Sequence, residues 1–366
     1  MLHILHASDF HLDAPFVSLS PEKAARRRSE QRDLITRLTD LARTRGADLV
    51  LLSGDLFDSA DTYAETTQAL ARTLGRTGCP VLISPGNHDF YGPHSPYAAL
   101  AWPENVHIFT RPELEAVELP GLNCSVHGAA FISPARDDSP LSGFTAPADG
   151  RTHVGILHGD VDGKGRYGPV STDEIAASGL AYLALGHIHT ASGLQKSGNT
   201  YWAYPGCPEG RGFDELGDKG CLWLSVGPGG TEAEFLPLAR RRYRILEADV
   251  SAYESPEAAL LATLPQDAGE DIIRILFTGE SGVEGLDLAP LEALAAPLCY
   301  SADLRDRTRV RRDQWSRVGE DTLTGLFLRR MQGRLSAAET DEERSLLETA
   351  VRFGLAALEH REEPMA

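Results

Sequence analysis

The chain has 366 residues, of which 42% are hydrophobic and 7% aromatic, enough to bury a core in one large domain or in two smaller ones. Its 35 Lys and Arg against 53 Asp and Glu leave a net charge of -18. That balance excludes a protein that coats nucleic acid by charge alone, but not an enzyme that meets it through bound cations or local arginine clusters.

Five scattered cysteines, Cys79, Cys124, Cys207, Cys221 and Cys299, contain no C-x-x-C pair. Reduced thiols in a cytoplasmic protein are therefore expected, not a zinc knuckle or redox motif. The opening MLHILHASDFHLD lacks a basic stretch, and no apolar run approaches the roughly 18 residues that a membrane span needs.

Leu2–Ala7 reads as a strand and residues 22–44 as a helix with Leu34, Ile35, Leu38 and Leu41 on one face. A compact strand over 48–52 ends at Ser-Gly-Asp, followed by a helix over 64–74 and a strand over 81–84. This βαβαβ opening predicts a layered α/β sheet. From about 106 to 236 strands dominate, at 124–131, 154–157, 182–185, 200–203 and 220–226. The expected fold is α/β, a sandwich of two β-sheets flanked by helices. A composition change at 237–244 introduces a small βαβα module (strands 243–250 and 272–278, helices 256–264 and 288–294). The tail from 319 to about 360 carries two apolar helical stripes. Leu323, Leu326, Phe327, Met331 and Leu335 form one, and Leu346, Leu347, Ala350, Val351 and Leu358 the other. Ser336 and Glu339 are the expected capping box between them.

Metal-binding side chains recur where strands end: Asp9 and His11 in SDFH, Asp55 in SGDLFD, Asn87 and His88 in GNHD, His158 in LHGD, His187 and His189 in LGHIH. All project from one sheet edge if the strands are parallel, the edge where α/β proteins build ligand sites. Asp9/His11 and His187/His189 are i, i+2 pairs, which point to one side of an extended segment. Gly54, Gly86, Gly159 and Gly186 fit places of close backbone approach. Carboxylates, imidazoles and one amide, without cysteine, suit borderline divalent ions such as manganese, iron or zinc. Seven ligands exceed one tetrahedral site. Two ions bridged by a carboxylate use them all, with Asp9, His11, Asp55 and His189 at one and Asp55, Asn87, His158 and His187 at the other. Ions about 3.5–4 Å apart form a clamp for phosphoryl displacement.

GD or GNHD alone would be an ordinary turn, and His3, His6, His94, His107, His127, His153 and His360 are read as structural. With Asn87 on a metal, His88 is expected to face the substrate, where it contacts a phosphate oxygen or protonates the leaving oxygen. Asp58 is expected to hold that imidazole protonated, the alternative being a cap or turn carboxylate. Asp89 is read as stabilising the turn.

These motifs, in this order across residues 1–235, resemble the calcineurin-like metallophosphoesterase superfamily. HASDFHLDAPF (6–16) and YPGCPEGRGFDELGDKG (204–220) are similar to segments of SbcD-like, YhaO-type DNA repair exonucleases. Cys207 stands where a small polar residue is expected. The resemblance implies a dimanganese nuclease acting on DNA ends, dimeric, with a capping domain behind the phosphoesterase core. It further implies an SbcC-like coiled-coil ATPase partner bound through C-terminal helices. The corresponding division is 1–238 nuclease, 239–305 capping and DNA-binding, 306–366 helical. Arg240, Arg241 and Arg242 at the join, and Arg311, Arg312 and Trp315 in RDRTRVRRDQWSR, are the candidate DNA contacts. A solvated, salt-bridged segment is the alternative for that run. Rival functions are a phosphodiesterase or phosphatase for small nucleotides or phosphoproteins, and a structural subunit that regulates an ATPase.

Overall fold

The computed structural model describes residues 1–17, 19–59, 62–163, 165–282, 285–310 and 315–358. The chain divides into two units, Met1–Arg211 with Gly217–Arg240, and Gly212–Leu216 with Arg241–Ala366.

The first unit runs β1 (Leu2–Ala7), α1 (Pro21–Arg45), β2 (Leu49–Leu52), α2 (Ala64–Leu74), β3 (Val81–Ile83) and β4 (Val106–Ile108). It continues with β5 (Glu115–Leu119), β6 (Cys124–Gly128), β7 (Thr152–His158), α3 (Thr172–Ala177) and β8 (Tyr182–Gly186). The last strands are β9 (Gln195–Ser197), β10 (Thr200–Ala203), β11 (Gly220–Gly227) and β12 (Gly230–Pro237). They form two six-stranded sheets, ordered β12-β11-β1-β2-β3-β4 and β5-β6-β7-β8-β10-β9. β1 to β4 are mutually parallel, as are β6, β7, β8 and β10, so their carboxyl ends share an edge within each sheet.

The apolar runs Leu49–Leu52 and Val81–Ile83 are continuous because both faces of the first sheet are covered. Leu49, Leu51 and Leu82 meet Val126, Ile156 and Ala184 between the sheets, while Val50, Leu52, Val81 and Ile83 pack under Leu34, Leu38 and Leu70 of the helices. α1 starts on Ser20, whose hydroxyl accepts from the Lys23 amide, and stops at left-handed Gly46, φ 71°.

The second unit holds β13 (Tyr243–Asp249), α4 (Pro256–Thr263), β14 (Ile272–Thr278), β15 (Glu280–Ser281), α5 (Leu288–Ala295), β16 (Ser301–Asp306) and β17 (Arg309–Val310). β13, β14 and β16 make a parallel sheet, so the expected βαβα module closes with a third strand. That strand, SADLRD, carries little apolar signal because only Leu304 is buried. α6 (Leu323–Ala337) and α7 (Asp341–Leu358) pair through Leu328, Met331, Leu347, Val351 and Leu355. Leu323, Leu326 and Leu346, expected in the apolar stripes, are exposed. The cap between the helices also differs: Thr340 accepts from the Glu343 amide at 3.1 Å, while the Ser336 hydroxyl donates back to Gln332 O. Among the described residues no helix is long and apolar enough to cross a membrane.

Candidate metal centre

Beyond the ends of β1 and β2 the two chain segments keep pairing. Asp9 N donates to Gly54 O, His11 N to Asp55 O, Leu12 N to Leu56 O and Asp58 N to Leu12 O, at 2.8–3.1 Å. This ladder sets Asp9, His11, Asp55 and Asp58 side by side. The backbone there is not extended, as the i, i+2 argument assumed. Asp9 (φ 56°), His11 (φ 45°), Asp55 (φ 51°) and His187 (φ 108°) all have positive φ. Non-glycine residues held in this way store strain that the surrounding fold must overcome, and such strain clusters at functional sites.

Ligand atoms of Asp9, His11 and His189 lie within 4.8 Å of one another, and so do those of Asp9, Asp55 and His158. His11 Nε2 is 3.3 Å from His189 Nε2 and 3.8 Å from Asp55 Oδ2. On the other side of Asp55, His158 Nε2 is 3.4 Å from Oδ2 and 3.0 Å from Asn87 Oδ1. Asp9, His11, Asp55 and His158 are buried. Converging imidazole nitrogens and carboxylate oxygens of this mixture fit divalent cations, with Asp9 common to the two sets and Asp55 facing both His11 and His158. His187 and His189 diverge: His189 faces Asp9, whereas the His187 ring packs 5.3 Å from that of His158.

Neighbouring groups fix these side chains. His158 Nδ1 donates to Ser53 O at 2.9 Å, which leaves Nε2 for the centre. Asp9 accepts from Ser8 Oγ (2.5 Å) and from the His187 amide (3.2 Å), and Asp55 Oδ1 accepts from the His88 amide (2.9 Å). Burial pushes the Asp55 carboxyl up, but His158, His11 and His88 outweigh it and hold the group below the carboxylate range. Burial likewise lowers His158, and Asp55 overcomes it, raising the imidazole to about 9. Gly86 is required where it stands, since a Cβ there would enter the Asp55 carboxylate, 2.7 Å from its amide.

His88 is exposed, edge-on to His11. Its Nδ1 lies 3.0 Å from the Asp58 backbone carbonyl, and not against the carboxylate that was expected to hold it. The Asp58 carboxylate is 3.2 Å from His11 Nδ1 and accepts from Arg211 at 3.0 Å. Burial raises the Asp58 carboxyl, and His11 with Arg211 bring it below the ordinary value. Asp89 accepts from the amides of Leu56, Phe57 and Gly86 and from the Tyr97 hydroxyl, tying the loop after β3 to the loop after β2.

Sequence reasoning missed three supporting groups. Arg211 also donates to His189 Nδ1 at 3.3 Å, Lys219 Nζ donates to His189 O at 2.9 Å, and Tyr97 holds Asp89. Arg211 and Lys219 lie in the 204–220 segment, which in the sequence stands out as a family signature only.

Of the candidate DNA contacts, Arg241 and Arg242 are engaged within the second unit. Arg241 is buried, paired with Glu270 at 2.7 Å and stacked on Tyr300. Arg242 bonds Asp267 and Asp271, so both side chains serve the second unit's own structure. Arg240 is about half exposed and lies 4.0 Å from Glu30. Trp315 is half-buried and packs one side against the α6–α7 core. Arg311 and Arg312 lie outside the described residues.

Residues 2–191 match the calcineurin-like phosphoesterase family. The chain is 32% identical to the uncharacterized metallophosphoesterase YhaO of Bacillus subtilis (strain 168), over 73% of this chain and 67% of that protein. It is 24% identical to the SbcD component of the nuclease SbcCD of the same organism, over 63% of this chain and 68% of that one. It is 27% identical to the DNA double-strand break repair protein Mre11 of Aeropyrum pernix, over 68% and 64%. The chain thus spans about two thirds of the length of these relatives.

Proposed function

This chain belongs to the calcineurin-like phosphoesterase family, hydrolases that use divalent metal ions, and from that premise we propose that it is a two-metal phosphodiesterase hydrolysing DNA. The reaction proposed is exonucleolytic and serves DNA repair. The observation that carries this reading is the pair of ligand groups that share Asp9, with His11 and His189 in one and Asp55 and His158 in the other, and with the buried Asp55 Oδ2 facing His11 at 3.8 Å and His158 at 3.4 Å. Similarity to a component of a nuclease and to a double-strand break repair protein supports DNA as the substrate.

Two manganese ions, held by Asp9, His11, Asp55 and His189 and by Asp55, Asn87, His158 and His187, would neutralise phosphate charge and activate the attacking water. His88 presents its ring to the open side of the cluster. With Nδ1 given to Asp58 O, its Nε2 is placed to donate to a phosphate or leaving oxygen when the ring is protonated. Asp58 positions this ring through its main chain. The buried turn at Asp89 keeps Asn87 and His88 registered against Asp55.

By likeness to one component of a nuclease complex, the chain is also proposed to dimerise and to pair with a coiled-coil ATPase of the SbcC kind in the cytoplasm. Exposed Leu323, Leu326, Leu346 and Phe353 on α6 and α7 support a docking role for that hairpin. Titration with Mn2+ tests the centre: two sites per chain are expected, both weakened by Asp55→Ala. One site, or two that ignore Asp55, contradicts it.

A further inference from the structure

A net charge of -18 and a centre rich in carboxylates leave open what protein cation meets an anionic substrate. The side-chain geometry offers Arg211. Its guanidinium donates to Asp58 Oδ1 at 3.0 Å and to His189 Nδ1 at 3.3 Å, touching the side chains of two site motifs at once.

The segment that carries Arg211 is anchored from below. Glu209, two residues earlier and buried, accepts from the fully buried Arg27 of α1 at 2.6 Å. Arg27 also donates to Gly210 O at 2.9 Å and to Glu30 at 3.1 Å. The amide of Cys207 and the ammonium of Lys219 both hold His189 O. A buried ion pair contributes little net stability but fixes geometry closely. The Arg211 side chain remains 23% exposed.

His189 Nε2 faces Asp9 and His11, 3.7 Å from Asp9 Oδ1. When Nε2 is committed to a cation, the hydrogen of the ring sits on Nδ1, and a guanidinium, which has donors alone, cannot bond it. The Arg211 nitrogen that faces His189 then turns to another acceptor. A non-bridging phosphate oxygen beside the ions matches the guanidinium fork.

We infer that Arg211 is a substrate-phosphate ligand, anchored on the Asp58 carboxylate and aimed at the phosphate held over Asp9, His11 and His189. This rests on the phosphodiesterase reading and adds a recognition residue to it. It also gives the Asp58 side chain an anchoring part separate from that of its carbonyl.

The test uses the full chain loaded with manganese, as wild type, Arg211→Ala and Arg211→Lys. Metal content is measured for each, then inorganic phosphate is titrated calorimetrically. Both variants are expected to keep two ions. Phosphate affinity should fall about tenfold or more in Arg211→Ala. Arg211→Lys should recover part of the loss, since it keeps the charge without the fork. KM for bis-p-nitrophenyl phosphate should rise in the same order, with kcat changing less. Unchanged phosphate affinity in Arg211→Ala overturns the inference, and so does loss of ions in both variants. A wild-type protein that binds phosphate through Arg211 yet cleaves no diester refutes the phosphodiesterase reading alone.

Discussion

His88 and Asp58 meet through the main chain: Nδ1 of the imidazole lies 3.0 Å from the Asp58 carbonyl oxygen, while the Asp58 carboxylate turns to Arg211 and His11. The ring is therefore oriented by a group that no side-chain substitution removes. His88→Ala should cut hydrolysis of bis-p-nitrophenyl phosphate about 10²–10⁴-fold with the manganese content unchanged. Asp58→Ala should cost less. Metal analysis and the hydrolysis rates of both variants check this, and loss of ions in His88→Ala would count against the assignment.

The buried turn under the site can be tested separately. Asp89→Ala leaves the Leu56 and Gly86 amides and the Tyr97 hydroxyl without their acceptor, which should cost about 3–5 kcal/mol. Tyr97→Phe removes one donor and should cost about 1–2 kcal/mol. Urea unfolding measures both. Equal, negligible effects would mean that the Asp89 bonds do not hold the loops.

His6 gives a pH prediction. Its ring is fully buried between the Tyr182 hydroxyl and Ser53 Oγ, each at 2.8 Å. Burial lowers its pKa to about 3, well below the ordinary histidine value. The unfolded chain therefore takes up a proton that the folded chain refuses. The stabilisation is complete above about pH 6.5 and is lost as pH falls toward 3. His6→Gln should reduce the slope of stability against pH by up to about 1.4 kcal/mol per unit in that window. Unfolding curves between pH 7 and 4.5 read the difference, and identical slopes would contradict it.

Arg241 separates a structural arginine from a DNA-binding one. Buried against Glu270 and Tyr300, it should cost the second unit about 1–3 kcal/mol when changed to Met. DNA affinity at fixed salt should stay unchanged. A lost phosphate contact would instead weaken binding and flatten its salt dependence, as fluorescence anisotropy would show.

The cluster of candidate ligands was legible in the sequence because each stands at or shortly after the carboxyl end of a buried parallel strand, where chain order brings it to the edge. Arg211 was not, because a single arginine among glycines acquires its meaning from Asp58 and His189, more than a hundred and about twenty positions away respectively. The run at 240–242 misled for the opposite reason. Its charge is visible locally, but the acids that face Arg241 and Arg242, namely Glu270, Asp267 and Asp271, come from a separate segment. Strands such as β5 and β16 escaped notice because their polar alternation reflects half-buried faces, whereas the core strands announce themselves by continuous apolar runs.

The most direct test of a DNA-cleaving two-metal centre is hydrolysis of end-labelled linear DNA by the full chain with manganese, beside bis-p-nitrophenyl phosphate. The net charge of -18 favours the rival, a phosphodiesterase for small nucleotides, so the comparison is sharp. The predicted result is manganese-dependent loss of label from the DNA together with cleavage of the small ester, both cut about 10²–10⁴-fold by His88→Ala. Cleavage of the small ester with intact DNA, with or without an added coiled-coil ATPase of the SbcC kind, would contradict it.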